Sequence, residues 1–163
     1  MVRKYNLVVD TNVFLHGFNN FSESASDVVD LIEANKVNLV FTGDTFGELI
    51  FMIKCWARKN ITSKKDRLSL LHDFVDLFYN SLSYNPTGVE CPKINDEFDI
   101  KFLECAIVSK CDFLISNDYS SGMHKVDKCN FIATDTKSFM DMWNGVSKKI
   151  AIGDVDKDNN LNK

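Results

Sequence analysis

The sequence predicts an α/β fold, a three-layer α/β/α sandwich around a central parallel β-sheet, on three observations. Tyr5-Asn6-Leu7-Val8-Val9 is a short apolar run without alternation, the pattern of a strand buried on both faces. Further runs of this kind alternate along the chain with segments whose apolar residues recur at helical spacing. The connections are short, and strands alternating with helices imply right-handed crossovers, parallel pairing and helices on both faces. With 163 residues, 45% hydrophobic and 26% charged, the chain suffices for one domain with a sizeable core. That domain is expected over residues 1–152, followed by a polar tail over 153–163.

The first strand stops on Asp10, at the sheet edge where the loops of an open α/β fold carry ligands and reacting groups. Asn12 to Gly17 reads as a short helix that Gly17 ends. Ser24, Ser26 and Asp27 offer N-caps ahead of Val28, Val29, Leu31 and Ile32. A second strand, Val37 to Phe41, ends at Thr42. Gly43 to Asn60 is a helix apolar nearly all round, through Phe46, Leu49, Phe51, Met52, Ile53 and Trp56, and is expected to be deeply buried. Thr62 to Asp66 opens the next helix, with Leu68, Leu71, Phe74, Val75 and Phe78 as its inward stripe. Pro86 and Pro92 then mark an irregular connection. The remaining elements are a helix over about 97–110, a strand Asp112 to Ile115, an irregular loop around Gly122, a strand Asn130 to Ala133, a helix from Asp135 to about Trp143, and an edge strand Lys149 to Ile152.

Bulk properties narrow the function. No apolar run reaches the roughly 18 residues of a spanning helix, and the N-terminus lacks a signal-peptide pattern, so a cytoplasmic protein without membrane contact is expected. The five cysteines contain no C-x-x-C pair for zinc or redox work and read as buried thiols. A net charge of −4 argues against binding nucleic acid mainly by electrostatics, yet suits an enzyme whose acids hold metal. Asp154 to Asn160 starts like a calcium loop but lacks the central glycine and closing glutamate, and reads as tail.

Three more acids can be placed relative to Asp10. Asp99 precedes the apolar stripe of Phe102, Leu103 and Ala106 at helical spacing and therefore faces the core side, whereas Glu104 falls off the stripe. Asp118 lies two residues beyond Ser116, at the same sheet edge as Asp10. Glu48 is an acid within the apolar helix after the second strand. Each also has an ordinary reading as a helix cap: Thr45 with Glu48 fits a capping box, Asp96 with Asp99 a helix start, and Asp118 and Asp135 begin following helices equally well. Capping does not explain why four acids meet one edge, and converging buried carboxylates need a cation or shared protons.

These residues carry a resemblance to the PIN-domain family. Leu7-Val8-Val9-Asp10-Thr11-Asn12-Val13 is similar to the family's opening strand and D-T-N, and Gly47-Glu48-Leu49 to its glutamate helix. Asp96 to Ala106 resembles the helix of the third acid, and Asp112 to Asp118 the strand with the fourth. Relatives often carry a denser acidic run where this chain has Phe98 and Ile100, which leaves one or two metal ions open. The resemblance implies metal-dependent ribonuclease activity on RNA, as in the toxins of bacterial toxin–antitoxin pairs, with an antitoxin protein or a homodimer as partners.

The chemistry agrees with that implication. Hard oxygen ligands select Mg²⁺ or Mn²⁺, which keep several waters and bind phosphate. Asp10, Asp99 and Asp118 are the expected metal ligands, direct or through water, and Glu48 the fourth acid. Thr11, Asn12 and Ser116 are placed to orient carboxylates or phosphate, with plain turn chemistry as the competing account. Arg58, Lys59, Lys64, Lys65 and Arg67 cluster at a helix–helix junction and suit an RNA backbone, although a solvated turn explains them at least as well. His16, His72 and His124 are scattered and give no zinc or acid–base site. An aspartyl phosphatase would want an acid where Asn12 stands, and a phospho-accepting signalling domain a lysine that Thr134-Asp135 does not supply. A non-catalytic RNA- or protein-binding module is the remaining alternative.

Overall fold

A computed structural model describes residues 3–126 and 129–145. Strands β1 (Asn6–Val9), β2 (Asn38–Phe41), β3 (Leu82–Ser83), β4 (Phe113–Ile115) and β5 (Ile132–Thr134) form one parallel sheet in the order β3-β2-β1-β4-β5. Helices α1 (Thr11–Phe18) and α2 (Glu23–Glu33) connect β1 to β2, and α3 (Gly43–Asn60) and α4 (Lys64–Tyr79) connect β2 to β3. After a 3-10 turn at Glu97–Asp99, α5 (Ile100–Ser109) returns the chain to β4, on the other side of β1. Helix α6 covers residues 136–145.

Period-two alternation divides the core between the two faces of the sheet. Leu7, Val9, Leu39, Phe41, Phe113 and Ile115 pack with Phe14, Val28, Leu49, Ile53, Phe74 and Phe139 from five helices. Val8, Val40 and Leu114 face the opposite way, onto Phe102, Leu103 and Ala106 of α5 and onto Met123. Each such fully buried side chain stabilises the fold by roughly 1.5–3 kcal/mol relative to an exposed one. The expected α/β/α sandwich is therefore present, with one face covered far more thickly than the other. The strand order reverses between β1 and β4. At such a switch point the flanking connections diverge and leave a crevice outside the carboxyl ends of the strands.

Several sequence expectations are corrected by packing. Helix α3 is not buried all round: Thr45, Leu49, Ile53 and Ala57 form a single buried row, while Phe51 is 62% exposed. Leu68 and Val75 of α4 also face outward, leaving Phe74 as the fully buried residue of that helix. Strand β3, two exposed residues long, lies where only an irregular connection was expected. Helix α2 starts earlier than expected, capped by Ser22, whose hydroxyl accepts the Ala25 amide. The expected edge strand Lys149–Ile152 and the tail lie outside the described residues.

Gly17 does not end its helix, which runs through it to Phe18. Its role is close approach, because a Cβ there would lie 2.8 Å from Val29 Cγ2 and 3.0 Å from the Ala25 carbonyl oxygen of α2. Gly17→Val should therefore lower stability by roughly 1–3 kcal/mol, through overpacking the α1–α2 contact. Urea denaturation midpoints check this; an unchanged midpoint would contradict the close packing.

Candidate active site

Asp10 continues the ladder of the middle strand by one residue, its amide donating to the Ile115 carbonyl at 2.9 Å. Its side chain then turns to cap α1, accepting the Asn12 amide on Oδ1 at 3.3 Å. Asn12 Nδ2 and Ser116 Oγ both donate to Oδ2 at 2.6 Å. The residue is only 5% exposed. Burial pushes its pKa up, the bonds from Ser116 and Asn12 pull it down, and the charges of Glu48 and Asp118 add to the upward push.

Asp118 is set at the same edge from β4. Its amide donates to Ser116 Oγ at 3.0 Å, so one hydroxyl bridges the two acids. Ser120 donates to Asp118 Oδ1 through both its amide, at 2.8 Å, and its hydroxyl, at 2.5 Å. Those bonds from Ser120 hold the Asp118 carboxyl below its ordinary pKa.

Asp99 reaches the site from the start of α5. The cap of the preceding turn is Asp96, whose Oδ1 accepts the Phe98 amide at 2.9 Å, whereas Asp99 makes no capping bond at all. The half-buried Asp99 carboxyl is pushed up to about 6, first by burial and then by the charges of Asp10 and Asp96, with Asp118 adding to them and Lys101 opposing.

Glu48 is not part of a capping box; Thr42 and Thr45 form that motif reciprocally at the start of α3. Glu48 Oε2 instead meets Lys101 Nζ at 2.6 Å. The same ammonium donates to the Phe98 carbonyl and lies 5.4 Å from the centre of the Phe102 ring. Lys101 was not singled out from the sequence. Its signal was a cation among the apolar residues of the helix that carries Asp99.

Other residues at this edge also escaped notice. Asn12 Oδ1 accepts from the Asn117 amide at 3.5 Å, and Asn117 Oδ1 accepts from the amide and hydroxyl of Thr136 at 3.1 and 3.0 Å, joining α1, the end of β4 and α6. His124, taken as a bystander, lies 2.9 Å from the Ser116 carbonyl through Nε2 and stacks on Tyr119. Asp135 caps α6 by accepting the Ser138 amide at 2.8 Å, as the capping account had it. Although burial pushes the Asp135 carboxyl up, bonds from Tyr119 and Ser138 outweigh it and hold the pKa at about 2. Arg58, Lys59, Lys64 and Lys65 are exposed, while Arg67 donates to the Ile61 and Thr62 carbonyls and closes the α3–α4 turn.

The acids therefore share one field without closing on one point. Among the described residues, no three His, Cys, Asp or Glu side chains are grouped tightly enough to hold an ion. The donor set nonetheless fits a hydrated Mg²⁺ or Mn²⁺, which takes one or two carboxylates and keeps its waters. Thr11 Oγ1 is buried beside Asp10 with no hydrogen-bond partner among the described residues, a further oxygen at this edge.

A family model described as PIN domain matches residues 6–120, and the chain belongs to that family. Among solved structures it is similar to VapBC2 from Rickettsia felis bound to a DNA fragment from their promoter. That match has TM-score 0.48 and 14% identity, and covers 80% of this chain and 98% of that one. No curated protein matches.

The raised Asp99 pKa has a measurable consequence in metal-free protein. An acid whose pKa rises on folding favours the folded state when protonated, an advantage fully present below about pH 4 and lost as the pH climbs through about 6. Over that window the wild type should lose stability relative to Asp99→Asn, by on the order of 1 kcal/mol once solvent screening of the half-exposed group is allowed for. Denaturant melts in EDTA check this; a difference that stays constant from about pH 4 to 7 would contradict the burial of Asp99 beside the other acids.

Proposed function

We propose that the chain is a Mg²⁺- or Mn²⁺-dependent endoribonuclease that hydrolyses RNA phosphodiester bonds. The observation that carries this reading is the placement of Asp10, Glu48, Asp99 and Asp118 at the switch point of the sheet, with Asp10 and Asp99 each feeling the charge of other acids. Asp10, Asp99 and Asp118 would hold the ion. When bound, it supplies a Lewis acid for the scissile phosphate and lowers the pKa of the attacking water.

The chain's own residues do the positioning. Asn12 and Ser116 load Asp10 Oδ2, which leaves Oδ1, with only the longer bond from the Asn12 amide, for a ligand. Ser120 likewise engages Asp118 Oδ1 and leaves Oδ2 without a hydrogen bond among the described residues. Lys101 brings a fixed positive charge beside Glu48, where an incoming phosphate would otherwise meet unbalanced carboxylates. No residue needs to act as nucleophile: water adds to phosphorus, the ester P–O bond breaks, and the leaving oxygen takes up a proton.

The setting we propose is a toxin restrained by an antitoxin protein that covers the acids, as the family resemblance implies. Purified protein should cleave RNA with Mg²⁺ or Mn²⁺ and stop in EDTA. Asp10→Asn and Asp118→Asn should each lower the rate by about 100-fold or more. Cleavage that survives EDTA, or none with either ion, would overturn the proposal. Binding without cleavage would favour the non-catalytic module.

A further inference from the structure

We infer that Phe98 and Tyr119 are base-stacking platforms beside the acid cluster, each gripping an unpaired base next to the phosphate that is cleaved. This inference rests on the nuclease reading only for the position of the cut. Phe98 is 83% exposed and immediately precedes Asp99, and Tyr119 is 61% exposed and immediately follows Asp118. Exposed aromatic rings are ordinary singly, but these two adjoin two of the four acids, Asp99 and Asp118.

The backbone segments that carry the two rings are hydrogen-bonded to each other. The amides of Asn95 and Asp96 both donate to the Ser121 carbonyl, at 2.9 and 3.2 Å, and Asn95 Nδ2 donates to the Ser120 carbonyl at 3.1 Å. Gly122, at φ +88, comes so close that a Cβ on it would lie 3.3 Å from the Asn95 nitrogen. The segment before Asp99 and the segment after Asp118 are thus stitched together at the backbone.

The Tyr119 ring is held in place, and Phe98 is fixed through its backbone. Tyr119 stacks on His124 with centroids 4.6 Å apart and planes 22° from parallel, and its hydroxyl donates to Asp135 Oδ2 at 2.5 Å. One face is covered and the phenol end is anchored, yet most of the residue remains exposed. The Phe98 backbone is fixed at both ends, its amide by Asp96 and its carbonyl by Lys101. A ring pre-organised as that of Tyr119 is loses little freedom on binding.

Nucleobases stack on such faces whatever the base, whereas paired bases inside a duplex offer no free face. A chain with net charge −4 gains little from general attraction to phosphate, which leaves stacking to supply local affinity. Each ring is flanked in the chain by polar residues, Phe98 by Glu97 and Asp99 and Tyr119 by Asp118 and Ser120, and not by the apolar neighbours of a protein-docking face.

The test is anisotropy of a labelled uridylate decamer, free or paired with an adenylate strand, at low salt with Ca²⁺ as the cation. Phe98→Leu and Tyr119→Leu should each weaken single-strand binding at least about fivefold, while Phe98→Trp and Tyr119→Phe stay within about twofold of wild type. Wild type should prefer the single strand. Unchanged affinity in both leucine variants overturns the inference and leaves the rings to a protein partner. Equal affinity for duplex and single strand, no measurable binding by wild type, or losses as large in the Trp and Phe variants also overturn it. If the expected pattern appears but Mg²⁺ and Mn²⁺ support no cleavage, the stacking stands and the nuclease reading fails.

Discussion

A carboxylate buried at the end of the middle strand sets the terms for the whole carboxyl edge. Asp10 is almost inaccessible, and an ionised group in that position is costly unless donors surround it. Asn12 and Ser116 supply them, and both depend on other parts of the fold: Asn12 on the first turn of α1, Ser116 on β4 pairing beside β1. Through Asn117 the same network reaches Thr136 at the start of α6. The order of the sheet and the orientation of one side chain are therefore a single problem, since β4 must return beside β1 for Asp10 to be satisfied.

Satisfying Asp10 does not remove the repulsion among the acids. The fold reduces it with Lys101, which pairs with Glu48 and also draws the Asp99 pKa downward. The remaining excess of negative charge is a strain of the kind that sites carry at the expense of stability. It also explains why the acids need not be in mutual contact. The hydrated divalent ion proposed for this edge would reach carboxylates that the Lys101 ammonium, tethered to its own helix, does not.

Much of this was legible in the residues, and the exceptions share a cause. Leu7-Val8-Val9 stopping on Asp10 reads correctly because a strand buried on both faces has no polar position to spare. The start of α3 and the inward placement of Asp99 follow from spacing alone. Strand β3 did not show because two exposed residues, Leu82 and Ser83, have no periodicity to read. Helix α3 misled because Phe51 and Met52 are apolar yet lie outside the core, and apolar residues at the surface are normal. Pairings such as Lys101 with Glu48 or Tyr119 with Asp135 join distant segments, and only the packing of α5 and α6 brings them together.

The central claim is that these carboxylates form one cation site whose repulsion the ion relieves. Thermal melts with and without Mn²⁺, in wild type and in Asp10→Asn, test it most directly. Manganese at about 100 times its Kd should stabilise wild type by roughly 2.7 kcal/mol, a rise of several degrees in Tm, and should leave Asp10→Asn nearly unmoved. No rise in wild type, or an equal rise in both proteins, would contradict the account.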